Sequence, residues 1–249
     1  MLFGRKKIQT EAPMPQGLID LHCHILAGVD DGARDDEAMF DLIRLEYSCG
    51  VRHICFTPHF NPALFTPKPD KIAESFEKAK RFAEENFEGL SVSLGNEVFI
   101  RPDTVDRLRE GACRPLGGTK TVLAEFHPTT SVQDIRMNTV KLLSNGFSPL
   151  IAHIERYDRL CEPEDIYELK SLGAKLQINT AAFFGDRKKL IFKLVEQGAI
   201  DVVADDRHNR ERGEPNLGVC YNFVDQKFGR RAADALFIHR PMSILNISA

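Results

Sequence analysis

Five times along the chain a segment with helical spacing ends at glycine, an apolar run follows, and a polar residue closes the run. The stretches are Gly50 to His59, Gly89 to Glu97, Gly146 to His153, Gly173 to Asn179 and Gly198 to Asp206. Glycine takes the left-handed conformation after a helix at little cost, so each apolar run reads as a candidate buried strand entered from a helix. LIDLHCH at 18–24 and KTVLAEF at 120–126 bring the runs to seven. Strands alternating with helices imply parallel β/α units, and the short connections leave no internal domain boundary. This alternation alone fits an open doubly wound sheet and a closed barrel equally well. The intervening segments carry apolar residues at helical spacing, as in Met39, Leu42, Ile43 and Tyr47, and again in Ile72, Phe76, Ala79 and Ala83. Asp35 and Asp70 are expected to cap these two helices, and Ser131 with Asp134 to open the helix before Gly146. A length of 249 residues suits one α/β domain over 17–249, preceded by a flexible arm at 1–16.

The residues that close the runs share one chemistry: His22 and His24, then His59, Glu97, Glu125, His153, Asn179, and Asp206 with His208. In β/α folds the C-terminal strand ends gather into one cleft, because the loops that follow them lie on the same side. His22 and His24 alternate along a strand and so share a face, roughly 6.5–7 Å apart along the backbone, a separation that suits two ligands of one cation. Asp30 or Asp31 adds hard oxygen. Five histidines with Asp31, Glu97, Glu125 and Asp206 make nine groups, more than one ion can use, so two or three cations are expected. Clustered carboxylates would otherwise repel one another, and bound metals would acidify water and polarise a phosphoryl or carbonyl oxygen.

Other chemistries lack their residues. A net charge of -3 gives no basic footprint for nucleic acid. There is no glycine-rich phosphate loop of the G-x-x-x-x-G-K-[ST] or G-x-G-x-x-G kind. None of the six cysteines has an arginine six positions later, so a thiolate phosphate loop is not indicated, and no C-x-x-C pair occurs. Reduced thiols fit a cytoplasmic protein. The N-terminal stretch carries Arg5, Lys6 and Lys7 but no apolar segment of signal-peptide length, and no run approaches a membrane span.

Taken together, DLHCHILAGVDDGA, TPH, GNEV, LAEF, IAHIERY, LQIN and ADDRHN, in this order within 18–218, resemble the polymerase-and-histidinol-phosphatase (PHP) family. HILAGVDDGA with AHIERYD is most similar to its bacterial tyrosine-protein phosphatase branch, which serves capsule and exopolysaccharide systems. The resemblance implies an α/β fold, a distorted seven-stranded (β/α) barrel of the PHP type. It also implies two or three divalent ions, Mn before Fe or Zn, and phosphotyrosine hydrolysis by a metal-activated water. Carried onto this sequence, the metal ligands are His22, His24, Asp31, His59, Glu97, Glu125, His153, Asp206 and His208. Motif register favours Asp31 over Asp30 and Asp206 over Asp205. Arg156, Asp206 and His208 are assigned to catalysis, Arg156 as the planar fork that grips phosphate rather than a salt-bridge partner of Glu155 or Asp158. The expected partner is a phosphotyrosyl protein, the tail of a bacterial tyrosine kinase, with membrane association only through that kinase. Two departures stand out: Phe60 where relatives often carry histidine, and RERGEPN, which leaves Arg210 or Arg212 as the second phosphate-binding arginine. The competing readings are a small-molecule phosphatase, as for histidinol phosphate, and a metal-dependent binding module without catalysis.

Overall fold

Each of the seven apolar runs contributes a strand, and all the strand pairings are parallel. The computed structural model describes residues 13–65, 67–210 and 212–247. Among the described residues there are nine strands: β1 (Leu18–Cys23), β2 (Val51–Phe56), β3 (His59–Phe60), β4 (Ser91–Leu94), β5 (Glu97–Phe99), β6 (Thr121–Glu125), β7 (Ser148–Ile151), β8 (Lys175–Asn179) and β9 (Val202–Ala204). Nine replace the expected seven because two runs are each broken once. The first breaks at Pro58, which has no N–H to give a ladder. The second breaks at Gly95 and Asn96, where the Asn96 side chain donates to Pro58 O at 2.9 Å and accepts from Arg114 N at 3.0 Å.

The strands form a three-stranded sheet in the order β1-β2-β4 and a six-stranded sheet in the order β3-β5-β6-β7-β8-β9. Backbone hydrogen bonds carry the ladder across the breaks, from Thr57 N to Cys23 O at 3.0 Å and from Gly95 N to Phe56 O at 2.9 Å. At the far edge Asp206 N donates to His22 O at 2.9 Å and His24 N to Arg207 O at 2.7 Å. The parallel sheet is therefore curled until the stretch after β9 meets β1, giving a mixed α/β fold.

Helices cover the convex face: α1 (Asp36–Ser48), α2 (Pro69–Asn86), α3 (Thr104–Arg109), α4 (Val132–Ser144), α5 (Pro163–Leu172), α6 (Lys188–Glu196) and α7 (Leu217–Phe228). Two further short helices, α8 (Arg230–Asp234) and α9 (Arg240–Leu245), end the chain. Asp35 caps α1 by accepting from Ala38 N at 2.9 Å, and Ser131 caps α4 by accepting from Asp134 N at 3.1 Å. The cap expected at Asp70 is displaced: α2 starts at Pro69, with Lys68 as its cap and Asp70 inside the first turn, because proline's fixed φ suits the first helical position. The glycines that open the five runs all have positive φ, from 69° to 105°. At Gly50 the reason is also steric, since a Cβ there would lie 1.9 Å from Pro15 O. Of the expected arm, residues 1–12 lie outside the described residues, whereas 13–16 run along the body, with Asn222 Nδ2 donating to Pro13 O at 3.3 Å. Among the described residues no helix is long and apolar enough to cross a membrane.

The concave side is filled by Ile19, Leu21, Cys55, Leu123, Leu150, Ala152 and Val202, and Leu116, Ile244 and Leu245 close its floor. Register shifts between Asp20 and Cys23, so Leu21 belongs to this inner cluster while Cys23 packs into the outer, helix-covered core. His22 and His24 flank Cys23 and face away from it, which brings both imidazoles out above the filled interior. Because α9 is short and held mainly by its apolar side chains, Leu245→Ala should destabilise the protein by about 2–4 kcal/mol, the usual cost of emptying a buried leucine site. Denaturant unfolding measures it, and a midpoint equal to that of the parent protein would show that the floor contributes nothing.

Candidate metal centre

All nine candidate ligands converge above this interior. β1 supplies His22, the residues after it His24 and Asp31, β3 His59, β5 Glu97 and β6 Glu125, while His153 follows β7 and Asp206 and His208 follow β9. Their ligand atoms fall into overlapping groups: His24, Asp31, His59 and His208; His22, His153 and Asp206; His22, His24 and Glu97; and His59, Glu97 and Glu125. Glu97 is the hub. Its Oε1 lies 2.7 Å from His153 Nε2 and 3.3 Å from His22 Nε2, and its Oε2 lies 3.0 Å from His59 Nδ1 and 3.2 Å from His24 Nε2. Asp206 Oδ1 is 3.5 Å from His22 Nε2 and 3.4 Å from His24 Nε2. Asp31 Oδ1 is 3.3 Å from His208 Nε2 and 3.5 Å from His59 Nε2. Glu125 is the most distant, 3.8 Å from both His59 and His153.

The backbone bends to make this arrangement. His153 and Asp206 have positive φ, 30° and 51°, a conformation that costs a residue with a Cβ about 1–3 kcal/mol and persists where the surroundings enforce it. Gly32 lets the Asp30–Asp31 loop fold back on β1, since a Cβ at that position would lie 1.7 Å from His24 O.

The two aspartate pairs divide their labour. Asp30 turns behind the cluster, its Oδ2 2.7 Å from His24 Nδ1 and accepting from His59 N at 3.0 Å, while Asp31 faces the imidazoles. Asp205 turns to Arg207 at 2.7 Å, while Asp206 faces His22 and His24. Arg156 makes its ion pair with neither Glu155 nor Asp158: its Nη2 donates to Asp206 Oδ2 at 2.5 Å. Arg212 Nη1 reaches Asp31 Oδ2 at 3.2 Å, whereas Arg210 points to Asp41 at 3.5 Å. Phe60 sits beside His59 on β3, and Phe65 stacks on the His59 ring at 4.9 Å.

Three residues that hold candidate ligands escape the sequence pattern: Asp30, Gln177 and Arg207. By type and position Asp30 reads only as a ligand. Gln177 stands two residues before Asn179 and so shares its face of β8, a signal that was available. Arg207 sits between two candidate ligands, with its side chain fully buried.

Several features fit a cation at this point. Ligands about 2.0–2.2 Å from one ion stand roughly 3.0–3.5 Å from each other, the spacing that geometry at such bond lengths imposes. His22 Nε2 and His24 Nε2 are 3.3 Å apart, and each lies 3.2–3.5 Å from a Glu97 and an Asp206 oxygen. The Asp30 carboxylate accepts from His24 Nδ1, which leaves the Nε2 of the neutral ring as a lone pair aimed inward. Buried His59 Nδ1 and His208 Nε2 meet carboxylates without forming hydrogen bonds, and His153 Nδ1 also lacks one. Burial would raise the Glu97 carboxyl, but His22, His153 and His24 outweigh it and hold the group well below its ordinary range. Burial and the neighbouring Glu97 push Glu125 the other way, up to about 8, as expected where carboxylates crowd without a counter-ion.

The capsular polysaccharide synthesis family CpsB/CapC matches residues 18–246. The tyrosine-protein phosphatase CpsB of Streptococcus pneumoniae is 33% identical over 238 residues, covering 92% of this chain and 98% of that protein. The tyrosine-protein phosphatase YwqE of Bacillus subtilis is 33% identical over 218 residues, covering 85% of each. A crystal structure from work on YwqE and CpsB, described there as unique metal-dependent tyrosine phosphatases, superposes with a TM-score of 0.83 at 28% identity, covering 93% of this chain and 96% of that one. Matched in this way in sequence and in three dimensions over its described length, the chain belongs to the CpsB/CapC capsular polysaccharide synthesis family.

Proposed function

We propose that this protein is a metal-dependent protein-tyrosine phosphatase, a phosphoric monoester hydrolase whose curled sheet is a distorted barrel of the PHP type, with two of its seven apolar runs each split into two strands. The observation that carries the reading is the convergence of nine imidazole and carboxylate groups on one patch bordered by Arg156 and Arg212. His22, His24, Asp31, His59, Glu97, Glu125, His153, Asp206 and His208 would hold two or three divalent cations, and five imidazoles among the nine favour Mn, Fe or Zn over a purely oxygen-binding ion. Bound cations would supply Lewis-acid charge for the phosphoryl oxygens and acidify water.

The chain's own groups do the rest. Arg156 swings its fork from Asp206 to two phosphoryl oxygens and stabilises the charge that builds on them. Asp206 holds the Arg156 fork through Oδ2, and His208, with Nδ1 2.9 Å from Asp206 O, turns Nε2 to the cluster, so the two set the frame in which phosphate and water meet. Arg212, paired with Asp31 at the outer edge, is the second phosphate arm. Phe65 and the 73% exposed Leu64 form an apolar ledge next to His59 that suits a tyrosyl ring. The rim is open, with the side chains of Asp31, Arg156 and Arg212 41, 39 and 45% exposed, which suits a side chain presented by a protein better than a small molecule enclosed on all sides. We place the substrate on the tail of a bacterial tyrosine kinase in a capsule system and the enzyme in the cytoplasm, reaching a membrane only through that kinase.

Chelation should abolish hydrolysis of a phosphotyrosyl peptide, with Mn restoring it better than Mg and histidinol phosphate turned over far more slowly. Full activity in excess chelator would overturn the metal reading, and a preference for histidinol phosphate would overturn the substrate.

Arg156→Ala should lower kcat at least 10²-fold, equivalent to about 2.7 kcal/mol, with metal content unchanged, and Arg156→Lys should recover little because an ammonium lacks the fork. Near-normal kcat in a folded, metal-loaded Ala variant would make Arg156 a structural residue.

In chelated protein, burial raises Asp20 to about 7, Glu125 to about 8 and Glu155 to about 7, so the folded state binds protons there more tightly than the unfolded chain. Stability should therefore fall from pH 6.5 to 8, by on the order of 1 kcal/mol per pH unit for each group in its titrating range, and Mn should reverse the share due to Glu125. Denaturant midpoints at pH 6.5, 7.2 and 8 measure it, and a rise in the chelated protein would contradict the assignment.

A further inference from the structure

The ends of β1, β3, β5, β6, β7 and β9 all contribute to the ligand cluster, whereas β8, which runs between β7 and β9, ends in two amides. Gln177 and Asn179 are both buried and share one face of that strand. The atoms of the Gln177 amide can be assigned from its partners. His153 N donates to Gln177 Oε1 at 2.7 Å, and since a backbone N–H can only donate, the atom it meets is the oxygen. The same oxygen lies 3.2 Å from His22 Nδ1. An amide oxygen only accepts, so His22 Nδ1 carries the proton and the Nε2 of the neutral ring is a lone pair. That Nε2 is the atom facing His24 Nε2 at 3.3 Å, Glu97 Oε1 at 3.3 Å and Asp206 Oδ1 at 3.5 Å.

The other end of the amide continues the chain. Gln177 Nε2 donates to Asn179 Oδ1 at 2.7 Å, which leaves Asn179 Nδ2 to donate to Asp206 Oδ2 at 2.9 Å. Arg156 occupies the same Oδ2, so Oδ1 is the oxygen left for the cluster. One backbone N–H thus sets the sense of a chain of hydrogen bonds that ends on two different candidate ligands.

We infer that Gln177 is a positioning residue: it fixes the ring tautomer and orientation of His22 and, through Asn179, selects which oxygen Asp206 presents. The inference rests on the metal-centre reading, and it gives β8 the part that Asp30 plays behind His24. A carboxylate at 177 could still accept from both donors, whereas a thioether of the same length could not.

The test measures Mn2+ affinity by competition with a chromophoric chelator for the parent protein, Gln177→Met and Gln177→Glu, with denaturant unfolding in chelator as the check on folding. The Met variant should bind at least one cation 10- to 100-fold more weakly, the range seen when groups behind metal ligands are removed. The Glu variant keeps the acceptor for His153 N and His22 Nδ1 but loses the donor to Asn179, so it should fall between the parent and the Met variant. A residue that merely fills space predicts the reverse order, with Met tolerated and Glu penalised as a buried charge, and that result would overturn the inference. A parent protein that binds no Mn2+ would instead overturn the metal-centre reading itself. A third measurement needs no variant. In parent protein loaded with diamagnetic Zn2+, nitrogen-edited spectra of the imidazole rings should show His22 as the Nδ1–H tautomer with a slowly exchanging ring proton. Coordination through Nδ1, or a freely exchanging proton, would overturn the assignment to Gln177 whether or not the variants fold.

Discussion

The buried guanidinium of Arg207 holds the seam on which the rest of the molecule depends. Its Nε donates to Glu46 on α1, and its Nη2 donates to Asp205 at 2.7 Å and to Gly213 O at 2.9 Å. The backbone of the same residue accepts from His24 N, so one position ties the end of β9 to the start of the chain and to the first helix. An unpaired charge buried in this way would cost several kcal/mol, and the two carboxylates and the carbonyl satisfy it where water cannot reach. Asp206 and His208 stand on either side of Arg207 and inherit its rigidity. The loop carrying Arg212 is pinned through Gly213, where a Cβ would come within 3.1 Å of the Arg207 side chain. The candidate ligands Asp206 and His208 and the loop of Arg212 are thus held from beneath by one buried side chain outside the cluster.

Above that seam the cluster has too many like charges and too many facing lone pairs to be at rest as a set of side chains. Glu97 approaches four imidazoles, and Glu125 is displaced toward its protonated form by burial and by the same neighbour. Folding has nonetheless placed His153 and Asp206 in left-handed backbone to complete the set. Strain and crowding at one locus in an otherwise regular sheet mark where binding, rather than stability, has shaped the chain.

What the sequence makes legible follows the same division. The parallel α/β architecture can be read because buried parallel strands are continuous apolar runs, and the helix ends because glycine at each has positive φ. The ligand types can be read because they close those runs. The interruptions at Pro58 and Gly95 were hidden inside apolar stretches, and the start of α2 was decided by Pro69 rather than by the more conspicuous Asp70. Asp30 and Asp31 are neighbours of the same type, and only the turn at Gly32 determines which faces the cluster. Gln177 and Arg207 escape notice for a different reason. An amide within an apolar run and an arginine between two ligands carry no motif of their own, and their roles exist only through partners such as His22, His153 and Glu46, far away in the chain.

The curled sheet also dictates when the centre can exist during synthesis. Asp205 N donates to Asp20 across 185 positions, and the floor beneath the site is closed by Ile244 and Leu245 of α9. Contacts of such separation are the slowest to form, and on a ribosome the two halves of the seam are never free together until the last strand has emerged. His22 and His24 are made early but find Asp206 and His208 only then. A growing chain that lacks β9 therefore presents only part of the set, such as His22, His24 and Glu97, and the nine candidate ligands stand together only once β9 has closed on β1.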